Sequence, residues 1–200
     1  MIRYECLELL ASQMSDQLVV TSQSGQRIEW SHLSRHEGNL LVGMMGCAIG
    51  VATGLALALP HRKVIALDSD GSVLLSLFNL PTLGNLQPKN LVVYVFDNGV
   101  YSGSRISYPT ATSGNTDLAA MARGAGIKNA QTIRDIEEFK KTGIDALNQH
   151  ELSLFVCKVE ESLMHREIPR PVTDLTENKY TFVRYLERSE EKIMPFIGRG

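Results

Sequence analysis

Residues 65–76 read IALDSDGSVLLS and change from one structural pattern to another within a few positions. Up to residue 68 the run is apolar and strand-like, whereas residues 73–86 are typical of a helix. The next apolar run, NLVVYVFD at residues 90–97, is again strand-like and apolar on both of its faces. Two buried strands joined by a helix predict a parallel α/β sheet with helices on both faces. Such a sheet places its ligand crevice beyond the carboxyl ends of the strands.

The same alternation extends in both directions along the chain. We expect a strand end and a loop at residues 40–46, followed by further strands at 63–68, 90–97, 130–133 and 152–160. Helices are expected at 47–59, 73–86, 116–126 and 134–149. The first is a buried helix that ends at Pro60, the second has an irregularity at Pro81, and the third begins with a Thr116 cap. The chain therefore reads as a repeating β-α pattern.

Composition indicates the domain organisation and excludes some partners. The chain has 200 residues, of which 44% are hydrophobic and 21% charged, and its net charge is −2. We expect one domain at residues 1–160 and a C-terminal extension at 161–200 that docks on the domain or on a partner subunit. Lys and Arg form no basic stripe, so no nucleic-acid partner is expected. The three cysteines are widely spaced, which disfavours a zinc site or a disulfide framework and suits a reducing cytoplasm.

One uncharged segment, LLVGMMGCAIGVATGLALALP at residues 40–60, is long enough to raise the possibility of a membrane helix. Gly43 and Gly46 would weaken a continuous helix near its start. A helix buried under a sheet shows the same all-round apolarity. We therefore predict a buried helix in this segment and no membrane partner.

Asp68 and Asp70, which follow the first strand, are compatible with several chemistries. A calcium loop is excluded because its fifth and twelfth positions, counted from Asp68, would be Ser72 and Asn79. Three interpretations remain open at this point. They are a phosphatase of the haloacid dehalogenase type with Asp68 as nucleophile and Asp70 as its acid/base partner, a magnesium-diphosphate site, and a turn with a solvated acid pair.

Asn98 follows the next strand, so its side chain is expected at the same edge of the sheet as Asp70. A carboxylate, an amide oxygen and a turn carbonyl such as that of Val100 are the hard oxygen ligands that Mg²⁺ prefers. A helix that begins near Gly71 and Ser72 would direct backbone N–H groups at a bound diphosphate. These positions favour the magnesium-diphosphate interpretation.

The motif also resembles a known one. Asp70 and Gly71 are separated by 26 residues from Asn98, and this resembles the diphosphate-binding motif of thiamine-diphosphate enzymes, G-D-G-x(24–27)-N. Residues 42–72 and 88–101 are similar to the corresponding stretches of sulfopyruvate and phosphonopyruvate decarboxylases, and the similarity covers residues 17–160. The short length most resembles the β-type subunit of the two-chain sulfopyruvate decarboxylases. The resemblance implies a six-stranded parallel sheet enclosed by helices.

Several site residues are implied by this resemblance, together with the cofactors thiamine diphosphate and Mg²⁺. The metal ligands would be Asp70, Asn98 and the backbone oxygen of Val100. Gly71 and Ser72 would hold the diphosphate.

The other implied positions belong to the pyrimidine end of the cofactor. The carbonyl of Gly43 would accept a hydrogen bond from the 4′-amino group, and Met45 would be the apolar wedge that bends the cofactor. Tyr101 is a further expected cofactor-binding position. Two departures from the family pattern stand out: Ser69 replaces the first glycine of the motif, and YSGSRISYPT at residues 101–110 replaces a Ser-Thr-Gly-x-Gln-like segment.

The implied function is that of a subunit of a thiamine-diphosphate- and Mg²⁺-dependent carboxy-lyase acting on a sulfopyruvate- or phosphonopyruvate-like 2-oxo acid. In the family, the catalytic glutamate belongs to another domain, which this chain does not resemble. We therefore expect a pyrimidine-binding, α-type partner subunit, a hetero-oligomer of dimers, and no activity of the chain alone. Arg105, in a Ser/Thr/Gly-rich loop at 101–115, is either a solvated residue or a contact for an anionic substrate. The alternatives are the phosphatase, another split thiamine-dependent lyase or ligase, and a non-catalytic cofactor-binding protein.

Overall fold

The chain folds as alternating strands and helices. The structure, a computed structural model, describes residues 1–102, 107–162, 168 and 174–192. The strands are β1 (Leu18–Thr21), β2 (Asn39–Leu41), β3 (Val64–Ser69), β4 (Leu91–Asp97), β5 (Val100–Ser102), β6 (Ser107–Pro109), β7 (Asn129–Ile133) and β8 (Ser153–Lys158). The α-helices are α1 (Arg3–Ser12), α2 (Gly25–Leu33), α3 (Ala48–Ala58), α4 (Asp70–Leu74), α5 (Asn79–Leu86), α6 (Leu118–Gly124), α7 (Ile136–Glu138) and α8 (Leu175–Ser189).

Six of these strands form one parallel sheet in the order β2-β1-β3-β4-β8-β7. This confirms the predicted six-stranded parallel α/β fold. Because the strands are parallel, the residues that follow β3, β4 and β8 emerge at one edge of the sheet. Side chains alternate between the two faces, as in β4, where Val93 and Val95 contact one apolar cluster and Tyr94 and Phe96 the other.

Helices cover both faces of the sheet. One face packs against α3, α5, α6 and α8, and the opposite face packs against α1, α2 and residues 136–147. Strands β3 and β4 are buried along their whole length, which explains why their sequences are apolar at successive positions.

The helix predicted at residues 73–86 was wrong in one respect, because the structure has two helices there. α4 ends at Leu74 and α5 starts at Asn79. The interruption therefore lies at residues 75–78 and not at Pro81. Pro81 occupies the first turn of α5, where a backbone N–H has no partner within the helix and its loss is harmless.

Two other helix predictions need correction. Asp117 and not Thr116 caps α6, since the Asp117 carboxylate accepts a hydrogen bond from the N–H of Ala120 at 2.9 Å. The predicted helix at 134–149 consists of the short α7, a π-helical segment at Phe139–Ile144 and a 3₁₀ turn at Asp145–Leu147.

The described residues between 107 and 113 are also more regular than predicted for this segment. β5 and β6 form an antiparallel hairpin that pairs Val100 with Pro109 and Tyr101 with Tyr108, and a 3₁₀ turn follows at Ala111–Ser113. Arg105 lies outside the described residues.

The C-terminal helix α8 packs on the domain. Phe182 and Leu186 are buried in one of the two apolar clusters. The side-chain amide of Asn178 accepts a hydrogen bond from the N–H of Leu41 at 2.8 Å and donates one to the carbonyl of Asn39 at 2.9 Å. This extension therefore contacts the edge strand β2 of the domain. The predicted domain boundary at residue 160 stays a prediction.

Within the described part of the chain, no helix combines the length and the apolarity that crossing a bilayer requires. The apolar run at 40–60 contains part of β2, a loop and the eleven residues of α3. α3 buries Ala52 and Ala56 but exposes Gly54 and Leu57, so it is only half-buried and not enclosed on all sides as predicted.

Candidate functional site

Asp70 lies at the carboxyl edge of the sheet, where β3 ends and α4 begins, and it is 0% exposed. Its Oδ2 accepts hydrogen bonds from the hydroxyls of Thr110 at 2.7 Å and Thr112 at 3.0 Å. Its Oδ1 is buried without a hydrogen-bond partner. A buried carboxylate oxygen without a partner costs free energy, and a bound cation would remove that cost.

The charge state of Asp70 supports the same interpretation. Burial raises the pKa of Asp70 above its usual value, and the nearby negative charge of Asp97 raises it further. Hydrogen bonds from the hydroxyls of Thr110 and Thr112 oppose this rise in pKa. Oδ2 of the Asp70 carboxylate is therefore held by hydrogen bonds, whereas Oδ1 has none to balance its charge. This is expected of a ligand for a hard cation such as Mg²⁺.

Asp97 and the partly exposed Lys158 form an ion pair beside Asp70. The hydroxyl of Thr112, which has one hydrogen to share between the two carboxylates, also lies 2.8 Å from Asp97 Oδ1, and Asp97 Oδ2 pairs with Lys158 Nζ at 2.5 Å. Asp97 ends β4 and Lys158 ends β8, so both come from the carboxyl edge of the sheet. Thr112 therefore links Asp70 to a second carboxylate whose charge is balanced by a lysine.

The expected ligands Asn98 and Val100 lie at the same edge. Asn98 Oδ1 accepts a hydrogen bond from the N–H of Val100 at 3.2 Å, and Gly99 between them has a φ of +73°, which favours glycine. The N–H of Thr110 bonds to the carbonyl of Gly99 at 2.9 Å while its hydroxyl reaches Asp70. Thr110 therefore joins the Asn98 turn to the Asp70 carboxylate.

The backbone oxygen of Val100 is oriented by the hairpin. The N–H of Thr110 bonds to the carbonyl of Gly99, and bonded and non-bonded pairs alternate along an antiparallel ladder. In the next pair, Val100 and Pro109, the polar backbone atoms therefore point away from the partner strand. The carbonyl of Val100 therefore points to the same side as its N–H, which bonds to Asn98. Proline at position 109 is tolerated because that position needs no ladder hydrogen bond.

Gly71 permits a close approach by Tyr101. A Cβ atom added to Gly71 would lie 2.7 Å from Cδ1 of the Tyr101 ring. The sequence predicted that Gly71 helps to hold a bound diphosphate. In the structure the ring of Tyr101 occupies the space beside Gly71, so these two expected cofactor-binding residues touch each other.

The helix that contains Gly71 is shorter than expected. α4 has five residues, and the N–H of Ser72 lies 3.4 Å from Ser69 Oγ. Ser69 is therefore the N-cap of α4, a role that glycine at this position would not fill through a side chain. Of the backbone N–H groups assigned to the diphosphate, that of Ser72 therefore has a protein partner in this structure.

The loop at residues 43–46 lies beside α4. The N–H of Gly46 donates to Ser72 Oγ at 2.7 Å, and its carbonyl accepts from Asn79 Nδ2 at 3.2 Å. Met45 is half-buried. A Cβ added to Gly43 would lie 2.7 Å from Cδ1 of Leu175, so α8 approaches this loop as well.

Asp68 is a buried member of β3 and not part of a solvated acid pair. It is 1% exposed, and its Oδ1 accepts a hydrogen bond from the N–H of Ser69 at 2.9 Å. Burial raises the pKa of Asp68 above its usual value. The solvated-turn interpretation of this acid pair is therefore wrong.

Sequence reasoning missed four residues of the site, namely Asp97, Thr110, Thr112 and Lys158. Asp97 and Lys158 end strands whose positions were predicted, so the rule that parallel strands meet at one edge could have identified them. Thr110 and Thr112 follow a hairpin that the sequence did not indicate, and no local signal points to them.

Comparisons with known proteins agree with this geometry. Residues 22–157 match the family described as "Thiamine pyrophosphate enzyme, C-terminal TPP binding domain". The sulfopyruvate decarboxylase subunit beta of Methanocaldococcus jannaschii is 32% identical over 192 residues, which cover 94% of this chain and 98% of that one.

Two longer proteins are similar over part of their length. The phosphonopyruvate decarboxylase of Streptomyces viridochromogenes is 33% identical over 147 residues, which cover 72% of this chain and 36% of that protein. The structure of benzoylformate decarboxylase from Polynucleobacter necessarius shares the fold, with a TM-score of 0.64 at 19% identity, over 82% of this chain and 34% of that one. This chain therefore belongs to the thiamine pyrophosphate enzymes, as their C-terminal TPP-binding domain, and its curated relatives are decarboxylases.

Proposed function

We propose that this chain is the diphosphate-binding subunit of a thiamine-diphosphate- and Mg²⁺-dependent decarboxylase of 2-oxo acids such as sulfopyruvate or phosphonopyruvate. The observation that carries the proposal is the unpartnered, buried Oδ1 of Asp70 at the carboxyl edge of a sheet of this family. The names of the relatives support the reaction and the substrate class. The phosphatase interpretation does not fit a chain of this family.

Asp70, Asn98 and the carbonyl of Val100 would hold Mg²⁺, which in turn would hold the diphosphate. When bound, thiamine diphosphate supplies the carbon that attacks the 2-oxo acid and accepts the electron pair released with CO₂. The residues of this chain bind and orient. Thr110 and Thr112 hold Oδ2 of Asp70 and leave Oδ1 to the metal.

The pyrimidine end of the cofactor would lie near the loop at residues 43–46. The carbonyl of Gly43 would accept a hydrogen bond from the 4′-amino group, and Met45 would supply an apolar support. Gly71 and Tyr101 would lie near the diphosphate. The hydroxyl of Ser72 bonds to Gly46, so Ser72 would link the two ends of the site.

We further propose that the site is completed by a pyrimidine-binding partner subunit that contributes the catalytic glutamate, in a hetero-oligomer of dimers. Support comes from the name of the relative that this chain matches over 98% of its length, which is a subunit beta. A cytoplasmic location is in keeping with three free cysteines.

Two measurements test this proposal. Calorimetric titration of the full chain with thiamine diphosphate should give saturable binding with Mg²⁺ and much weaker binding in EDTA. Decarboxylation of sulfopyruvate and phosphonopyruvate should appear only when a pyrimidine-binding subunit is added. Equal binding with and without the metal would contradict the metal site, and efficient turnover by the purified chain alone would contradict the half-site.

A further inference from the structure

The C-terminal helix α8 lies outside residues 22–157, which match the family. Its first residue contacts Gly43, in the loop at residues 43–46 that follows β2 at the carboxyl edge of the sheet. Glu190, just beyond its last residue, bonds to Arg62, which lies shortly before β3. A helix of 15 residues is about 22 Å long. α8 therefore extends from the edge that carries the candidate site to the opposite edge of the sheet.

The end of α8 that is far from the site is anchored to the domain. Arg62 is 8% exposed, and its Nη1 donates a hydrogen bond to Glu190 Oε1 at 2.6 Å while its Nη2 donates one to the hydroxyl of Tyr185 at 2.9 Å. Phe182 and Leu186, four residues apart on one face of α8, are buried in an apolar cluster of the domain. These contacts fix the helix independently of the candidate site, so α8 can serve as a support for it.

α8 also holds β2, the strand from which the loop begins. The side-chain amide of Asn178 accepts the N–H of Leu41 at 2.8 Å and donates to the carbonyl of Asn39 at 2.9 Å. On the other side of the strand, the N–H of Val42 donates to the carbonyl of Thr21 in β1 at 2.9 Å. The start of the loop is therefore held between β1 and α8.

Leu175, the first residue of α8, packs against the backbone of Gly43. A Cβ atom added to Gly43 would lie 2.7 Å from Cδ1 of Leu175, which is closer than two carbon atoms of different side chains approach each other. The close approach of Leu175 therefore requires glycine at this position. The position of Leu175 is itself fixed, since the helix begins with a cap in which Asp174 Oδ1 accepts the N–H of Thr176 at 2.7 Å.

The middle of the loop has fewer restraints than its ends. At the far end, the N–H of Gly46 donates to Ser72 Oγ at 2.7 Å, and its carbonyl accepts from Asn79 Nδ2 at 3.2 Å. Within the described part of the chain, no hydrogen bond reaches the backbone of residues 43–45. The packing of Leu175 is therefore a main restraint on where the carbonyl of Gly43 can lie.

We propose that Leu175 is a positioning residue. By packing on Gly43 it holds residues 43–45 in place and, with them, the carbonyl that would accept the 4′-amino group of thiamine diphosphate. The C-terminal extension thus contributes to the site, although the sequence placed no site residue in it. The part that concerns the cofactor rests on the proposed function, whereas the support of the loop by α8 rests on the contacts alone.

The first test measures the order of the loop in the full chain without any cofactor. The ¹⁵N relaxation order parameter of the Gly43 N–H should be about 0.85 in the wild type, as in rigid backbone, and should fall below about 0.6 in L175A, because the contact with Leu175 is lost. M121A is the matched control, since Met121 is an apolar helix residue with 39% exposure, similar to the 37% of Leu175. L175M keeps a long apolar side chain and should restore the wild-type value. An equal order parameter at Gly43 in L175A and in the wild type would overturn the proposal.

The second test separates an effect on the pyrimidine end from a general effect on the site. Calorimetry with Mg²⁺ should show that L175A binds thiamine diphosphate about three- to tenfold more weakly than the wild type, because its loop is less preorganised. Inorganic pyrophosphate lacks the pyrimidine, so the affinity of L175A for it should stay within about twofold of the wild type. M121A should match the wild type with both ligands.

Two results of the calorimetry would refute the positioning role of Leu175. They are an equal loss of affinity for both ligands and an unchanged affinity of L175A for thiamine diphosphate. If the wild type binds pyrophosphate but not thiamine diphosphate, the proposed function fails, and the order parameter of Gly43 still decides whether Leu175 supports the loop.

Discussion

Replacing Asp70 with asparagine should stabilise the metal-free protein. Asparagine has nearly the same size, and its amide oxygen can accept the hydroxyls of Thr110 and Thr112 that now bond to Oδ2. The change removes a buried negative charge and puts a neutral amide nitrogen, also without a partner, in place of Oδ1. A buried charge costs more free energy than a buried neutral amide, so D70N in EDTA should unfold with a free energy about 1–3 kcal/mol above that of the wild type. For a chain of this size the melting temperature would rise by about 2–12 °C.

Adding Mg²⁺ and thiamine diphosphate should reverse that order. A ligand at a thousand times its dissociation constant stabilises a protein by about 4.1 kcal/mol, which exceeds the advantage of D70N, and only the wild type should gain this amount. Differential scanning calorimetry of both proteins, in EDTA and then with cofactor and metal, measures the two effects. A lower melting temperature for D70N than for the wild type in EDTA would refute the reasoning about Oδ1.

The same comparison has a predicted pH dependence. The pKa of Asp70 in the folded protein is raised above its usual value of 3.8. At pH values between the usual pKa and the folded pKa, the folded wild type therefore binds more protons than the unfolded chain. Its unfolding free energy therefore falls as the pH rises through that window. D70N lacks this group, so its advantage in EDTA should widen as the pH rises above about 4 and level off above the folded pKa. Asp68 also has a raised pKa, but it is present in both proteins and cancels in the difference. Urea unfolding at a series of pH values measures the trend, and an advantage that shrinks with rising pH would contradict it.

Two further predictions concern stability. K158M leaves the 1%-exposed side chain of Asp97 without its cation, and urea unfolding should show a loss of about 2 kcal/mol in the free energy of unfolding. This is below the ~3–5 kcal/mol of a fully buried pair because Lys158 is partly exposed. The control K158R should lose less, and a loss below about 0.5 kcal/mol for K158M would mean that the pair is unimportant for stability. G84A should lose about 2–3 kcal/mol, because the new Cβ would overlap the backbone of Ala125, whose carbonyl carbon is 2.8 Å away. Its control G54A, in a helix with nothing within 4 Å of the new Cβ, should gain about 0.5–1 kcal/mol, and similar effects of both changes on the melting temperature would contradict the packing argument.

Much of the fold could be predicted because buried parallel strands have a strong sequence signal. β3, β4 and β8 are apolar at successive positions and lie within one or two residues of their predicted bounds. The break between α4 and α5 could not be predicted, because its causes are distant contacts. Ser76 and Asn79 approach Gly46, which lies about 30 residues earlier in the chain, and such contacts override local helix propensity.

The candidate site divides in the same way. Asp70 and Asn98 follow strands, so the topology of a parallel sheet was sufficient to bring them to one edge. The roles of Thr110 and Thr112 depend on the β5-β6 hairpin, which folds a polar segment back over Asp70. That segment has no alternation of apolar and polar residues from which a hairpin could be inferred. The hydroxyl of Ser72 bonds to Gly46, 26 residues away, and only the folded chain reveals this.

The contact between α8 and β2 has a consequence for self-association. An outer strand of a sheet ordinarily offers its free backbone atoms to any other extended chain, which leads to unwanted polymerisation. Here one amide group, that of Asn178, engages the N–H of Leu41 and the carbonyl of Asn39 on that outer side. A single side chain thus makes the hydrogen bonds that a neighbouring strand would make. The last helix therefore blocks the pairing of β2 with another copy of this protein.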